Sequence, residues 1–166
     1  SGVLTMEGTY DDNIMEYSSR EIYELNNGVH PTKYVVTNSV DAIGSVRARL
    51  DLTPRTGNPD FRTRLRLRFT GDSYRTNAVK DHHTWGVELN QKFSGRNYLI
   101  LRLTSLPDYY LRNLYYRRHR ILSRAPSHYE RATISKNEYT IDLGRRMNSA
   151  LRLAANYEYD RVTYSP

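Results

Sequence analysis

The chain comprises 166 residues, 38% hydrophobic and 26% charged, with 15 Tyr, no Cys and a formal net charge of +7. That length suits one domain or a piece of a larger one. No run approaches the ~18 apolar residues of a membrane-spanning helix, and the lack of Cys removes disulfides, thiolate metal ligands and Cys nucleophiles together.

The content of Tyr, Leu and Val is too high for a disordered tail. The opening Ser1-Gly2 is not followed by a basic-then-apolar signal segment. From the N-terminus onward, alternation with period two dominates. In the stretch from Val3 to Asp12, Leu4, Met6 and Tyr10 oppose Thr5, Glu7 and Thr9. A long link, 13–33, follows. Val46, Ala48, Leu50 and Leu52 then alternate with Arg47, Arg49 and Asp51. The clearest segment comes next: Phe61, Thr63, Leu65, Leu67 and Phe69 fall on one side, and Arg62, Arg64, Arg66 and Arg68 on the other. A helix would spread those Arg residues around its cylinder, whereas a strand separates them cleanly. Trp85, Val87, Leu89 and Phe93 alternate with Gly86, Glu88, Asn90 and Lys92, and Leu99, Leu101 and Leu103 oppose Ile100, Arg102 and Thr104. Tyr139, Ile141 and Leu143 oppose Glu138, Thr140 and Asp142, and Leu151, Leu153, Ala155, Tyr157 and Tyr159 oppose Arg152, Asn156, Glu158 and Asp160. Strands are therefore predicted at about 2–12, 34–53, 61–75, 82–93, 97–108, 129–144 and 149–162.

The links between these segments alternate in length. Those at 53–60, 93–97 and 144–149 are short and carry Gly, Pro or Asn, as turns do. Those at 13–33, 71–81 and 108–128 are longer. Such sorting is the mark of an antiparallel up-and-down transmembrane β-barrel, with short periplasmic turns and long outer loops. Three further features agree: strands of ~10 residues or more, aromatics towards strand ends (Phe61, Phe69, Trp85, Phe93, Tyr139, Tyr157, Tyr159), and a mean hydropathy of -0.76. The competing architecture is a soluble antiparallel β-sandwich, which also alternates. An Arg facing lipid costs up to ~2–4 kcal/mol at mid-membrane, so in a barrel the four Arg of 61–69 must face inwards. Seven crossings leave the termini on opposite sides, and bacterial single-chain barrels have even strand numbers. With a loop-like ending at 162–166, the expectation is the N-terminal part of a longer barrel, in one domain spanning 1–166. The alternative is an eight-stranded barrel in which 34–53 splits or 13–33 supplies a strand.

Tyr10-Asp11-Asp12-Asn13-Ile14, followed by Glu16-Tyr17-Ser18, resembles the opening of a family of uncharacterised, porin-like bacterial outer-membrane β-barrel proteins. Asp72-Ser73-Tyr74-Arg75-Thr76-Asn77 and Leu106-Pro107-Asp108-Tyr109-Tyr110 are similar to loop-edge motifs of the same group. The resemblance implies location in the bacterial outer membrane and a longer chain. It supplies no activity.

The candidate lumen-facing residues are Arg62, Arg64, Arg66, Arg68, Glu88, Asp51 and Asp142. They would form either an anion-attracting pore wall or a cross-strand ladder in which the three acids neutralise the Arg residues and simply stabilise the wall. The 111–127 link carries Arg112, Arg117, Arg118, Arg120 and Arg124 interleaved with Tyr. That composition suits polyanions such as lipopolysaccharide phosphates, or lipid head groups, or contact with another outer-membrane or periplasmic protein; in the sandwich alternative it would be the polyanion-binding loop. No nucleic-acid-binding motif is present, so nucleic acid is not an expected partner. Asp81-His82-His83 is the one cluster suggestive of an enzyme, yet adjacent strand residues point to opposite faces and no catalytic motif accompanies it. Asp11-Asp12-Asn13 with Glu16 lacks the spacing of a calcium loop and suits a turn. The expectation is a pore or structural scaffold at the cell surface, held by membrane lipid, without enzymatic activity, cofactor or metal.

Overall fold

The structure is a computed structural model that describes residues 1–29, 33–54, 57–58, 60–93, 96–116, 128–148 and 151–165. Seven strands hydrogen-bond in chain order into one antiparallel sheet. They are β1 (Gly2–Asp11), β2 (Asp41–Leu52), β3 (Arg62–Tyr74), β4 (His82–Lys92), β5 (Asn97–Tyr116), β6 (His128–Arg146) and β7 (Arg152–Ser165). Among the described residues there is no second sheet, so a sandwich is not formed.

The sheet is all-β and antiparallel, as expected, but it is open rather than closed. Among the described residues β1 pairs only with β2, and β7 only with β6. The reason is geometric: in a seven-strand meander the first and last strands run in the same direction, so they cannot close an antiparallel wall on each other. The alternative of eight strands within these residues is likewise not formed, since 13–33 contains a helix and the second strand starts at Asp41 rather than 34. The ending expected to be loop-like is strand as far as Ser165.

Register fixes the two faces. On one, directly paired residues form rows running across the sheet: Leu52, Leu65, Leu89, Leu101, Ile141 and Tyr157 in one row, Leu50, Leu67, Val87, Leu103, Tyr139 and Tyr159 in the next. Most of these side chains are exposed, because no protein layer covers them. The other face carries the charged residues.

The hydrophobic core lies at one end of the sheet. Ile14, Met15, Tyr17, Tyr34, Val36 and Tyr110 are buried together, with Ile22, Leu25, Ile43, Tyr74 and Val79 packed around them. Ile43 and Tyr74 pair across β2 and β3 in the same alternation as the charged residues. The cluster therefore caps the charged side at the end where the long connections lie. It is built on α1 (Ser19–Asn26), whose N-cap Ser18 and first-turn partner Glu21 bond each other's backbone in a capping box. Gly28, with φ +64, ends the helix in the left-handed conformation that lacks a Cβ penalty.

Glu24 is buried on α1 and accepts from Lys33 Nζ (2.8 Å), Tyr34 hydroxyl (2.8 Å) and Arg20 Nε (3.1 Å). Those bonds, the Lys33 one foremost, hold its pKa down at about 2. A depressed carboxylate contributes stability above its ordinary pKa and loses it as pH falls through the folded value. Acidification from about pH 4.5 to about pH 2 is therefore expected to loosen the cap, with amide protection factors falling in 19–26. Protection factors unchanged across that range would show that Glu24 does not anchor the helix.

A second node fastens the cap to the sheet. Asp41 is 3% exposed and accepts backbone N–H bonds from Ala42 (2.8 Å), Thr76 (3.0 Å) and Asn77 (2.7 Å), and one from Asn77 Nδ2 (2.9 Å). Asn77 in turn accepts from the Thr37 N–H and donates to the Asn38 carbonyl. On the far side, β5 continues through Pro107, which has no N–H to give the ladder and falls where the register shifts between Leu106 and Tyr109. Asp108, at φ 46, takes the left-handed conformation there and donates its N–H to Ser135 Oγ. Of the predicted 108–128 link, the described residues 108–116 belong to β5, which pairs with β6 as far as Tyr116 and His128.

Candidate functional site

The charged face is built by alternation and ordered by register. Asp51 on β2 lies opposite Arg66 on β3, Arg66 opposite Glu88 on β4, and Glu88 opposite Arg102 on β5. The side chains connect along the same line. Asp51 takes Arg66 Nε at 2.8 Å, Arg49 Nε at 3.1 Å and Arg64 Nη2 at 3.2 Å. Glu88 takes Arg68 Nη2 at 3.2 Å, Arg102 Nε at 3.3 Å and Arg66 Nη1 at 3.6 Å. Arg102 reaches on to Asp142 on β6, and Asn156 on β7 donates to the same carboxylate. One line of ion pairs and hydrogen bonds therefore crosses the sheet from β2 to β7. Its β2–β4 end is the most enclosed part: the Asp51, Arg66 and Glu88 side chains are 7%, 17% and 15% exposed. Such pairing satisfies each carboxylate several times over, which isolated surface ion pairs do not.

Of the residues expected to line a lumen, Arg64, Arg66, Arg68, Glu88, Asp51 and Asp142 all belong to this line. Arg62 shares the face but lies at its edge, opposite Lys92. Arg102 and Asn156 complete the line and were not among the expected site residues. Their alternation was visible, but only the register shows that Arg102 stands between two acids. A smaller group, Lys136 with Glu138 and Asp160 (3.3 Å), lies on the same face of β6 and β7.

The basic link is a different matter. Arg112 sits on β5, paired with Ala132, not on a loop. The reason is that β5 resumes its ladder beyond the Pro107 irregularity, where sequence reading ended the strand. Arg117, Arg118, Arg120 and Arg124 lie outside the described residues.

His82 and His83 point to opposite faces. His82 Nε2 lies 3.2 Å from Asp72 Oδ2 and its Nδ1 lies 3.0 Å from the Lys80 carbonyl, while His83 stacks on Phe69 across the apolar face. The Asp11 and Asn13 oxygens close turns: Asp11 Oδ1 accepts the Asn13 N–H, and the Asn13 side chain clamps the Tyr17 backbone from both sides at 2.8 Å.

The cap and the charge line occupy the same face, some distance apart. Ile43 and Asp51 are separated by four side-chain repeats of β2, about 26 Å. No family model, no curated protein and no solved structure matches the chain. The geometry above is therefore what bears on function.

Proposed function

We propose that the sheet is part of the wall of a bacterial outer-membrane β-barrel, with its apolar face on lipid and its charged face lining a water-filled pore. The observation that carries this is the uncovered apolar face. Leu50, Leu52, Leu67, Phe69, Trp85, Leu101, Ile141, Leu143, Tyr157 and Tyr159 are all exposed side by side. A water-soluble monomer rarely leaves more than a few hundred Å² of contiguous apolar surface bare.

The position of that band adds a second, independent support. On β1 the outward apolar residues run from Leu4 to Tyr10, and on β7 from Leu153 to Tyr159. Following direct pairs across the sheet, Leu4 falls in the row of Arg161, already beyond Tyr159. The band thus slides by about eight residues, ~26 Å, while crossing ~29 Å of sheet. To keep such a band level, the strands must lean by about 40°, within the ~35–45° of membrane barrels.

In this reading the short turns face the periplasm and the capped end faces outward, with Arg112 near lipopolysaccharide phosphates. Further strands, as the family resemblance implies, close the two open edges. A structural scaffold without conduction is the second reading, favoured by how fully Asp51 and Glu88 are paired. Two measurements separate these. Monodisperse behaviour in buffer without detergent would sink the membrane assignment. For protein that inserts, stepwise conductance in planar bilayers is expected; insertion with no conductance would leave the scaffold and remove the pore.

A further inference from the structure

In the charge line, five guanidiniums (Arg49, Arg64, Arg66, Arg68, Arg102) meet three carboxylates (Asp51, Glu88, Asp142). Two positive charges remain in excess, and the register shows where. Arg49 and Arg68 stand directly opposite each other in mid-strand. Like charges at directly paired positions destabilise a sheet. Among the described residues each has one carboxylate partner, Asp51 Oδ2 for Arg49 and Glu88 Oε2 for Arg68, and each of those acids is shared with two other Arg residues. Their side chains are 50% and 54% exposed, against 17% for Arg66 between the acids. The next row adds Arg47, ion-paired with Glu7 at 3.6 Å, beside Thr70.

Beside Arg68 the surface is notched. Gly86 is its direct partner on β4, and Thr104 is the next residue in the row. A Cβ at Gly86 would meet the Leu103 carbonyl at 3.4 Å and Thr104 Oγ1 at 3.8 Å, so the missing side chain is what leaves the space. Arg68, Thr70, Thr84, Gly86 and Thr104 line one hollow there together with Arg102 and the Glu88 carboxylate that Arg66, Arg68 and Arg102 hold, and Arg49 flanks it from the other side of Arg68.

We infer that the Arg49–Arg68 pair and the Gly86 hollow form a binding site for a dianionic oxyanion of the phosphate type. Two planar guanidinium forks offer parallel N–H donors to such an anion. The threonine hydroxyls supply further donors, and an anion of charge two balances the excess. The site rests on the reading of this face as wet, and gives the pore a substrate class: inorganic phosphate or phosphate monoesters.

The test titrates detergent-solubilised protein with inorganic phosphate at fixed ionic strength, following ³¹P line width, and repeats it with glycerol phosphate. Saturable binding is expected, weakened about tenfold or more by Arg49→Gln, by Arg68→Gln and by Gly86→Val, which fills the hollow without touching charge. Arg152→Gln, on β7, is expected to leave it unchanged. Since Arg49→Gln relieves a like-charge pair, its melting temperature in phosphate-free buffer is expected to stay at or above that of the parent, so lost binding is not lost fold. Saturation by inorganic phosphate but not by the ester would narrow the class to the free ion. No saturable binding of either, or equal binding by all three site variants, overturns the inference. Failure of this titration in protein that inserts into bilayers removes the site alone. The same Arg-dependent binding in protein soluble without detergent keeps the site and removes the barrel.

Discussion

Leu67→Arg is expected to cut insertion of the protein into lipid vesicles sharply, with the double variant Leu65→Arg/Leu67→Arg failing completely. Both positions lie in the middle of the outward band, in the rows joining Leu50 to Tyr159 and Leu52 to Tyr157. Each Arg at mid-membrane costs about 2–4 kcal/mol, so two approach the whole stability of a marginal domain. The sign of the effect discriminates. Leu67 is exposed, so in a protein surrounded by water the same change would improve solubility and leave folding intact. Insertion measured by protection from added protease, and by the heat-modifiable gel mobility of folded barrels, reads the difference. Insertion by Leu67→Arg at the parent level would show that this face does not meet lipid.

The second large effect is expected at the other end of the molecule. Asp41→Ala removes the acceptor of four hydrogen bonds and leaves the buried Asn77 backbone N–H and one of its two side-chain N–H groups unmet, the other still reaching the Asn38 carbonyl. Unsatisfied buried donors cost about 1–3 kcal/mol each, which puts the loss near 4 kcal/mol. The loss is local. The cap is tied to β2 and β3 through Asp41 and Asn77, whereas the ladders of β3 to β6 do not involve them. Limited proteolysis is therefore expected to cut the variant within 12–40 while the sheet resists. Cleavage spread evenly over the chain would mean that cap and sheet unfold as one unit.

The sheet was legible because its signal is repeated. In 61–69 every second residue is Arg, and no helical arrangement segregates them. The acids that pair with those Arg residues were legible as a set for the same reason. Their order was not, because alternation tells which face a residue takes and only register tells its neighbour. The helix was missed although Ser18 and Glu21 stand at capping-box spacing: eight residues inside a long link give too short a stretch for helical periodicity to show. The arm beyond Pro107 was missed for the opposite reason. A proline normally ends a ladder, and here two register shifts carry the pairing past it. The cap, with its core of Ile14, Met15, Tyr17, Tyr34, Val36 and Tyr110, assembles residues up to about a hundred positions apart and left no local trace.

The two rims of the sheet have their own consequence for biogenesis. Along β7, fourteen residues pair with β6 on one side alone, and β1 is in the same position against β2. Each peptide group that entered hydrocarbon without a partner would cost several kcal/mol. In the proposed barrel the ribbon therefore cannot dissolve in a bilayer first and find its neighbours later. Entry and completion of the hydrogen-bond circle would have to happen together, and until then the exposed selvedges would be the part of the molecule most in need of a chaperone's grip.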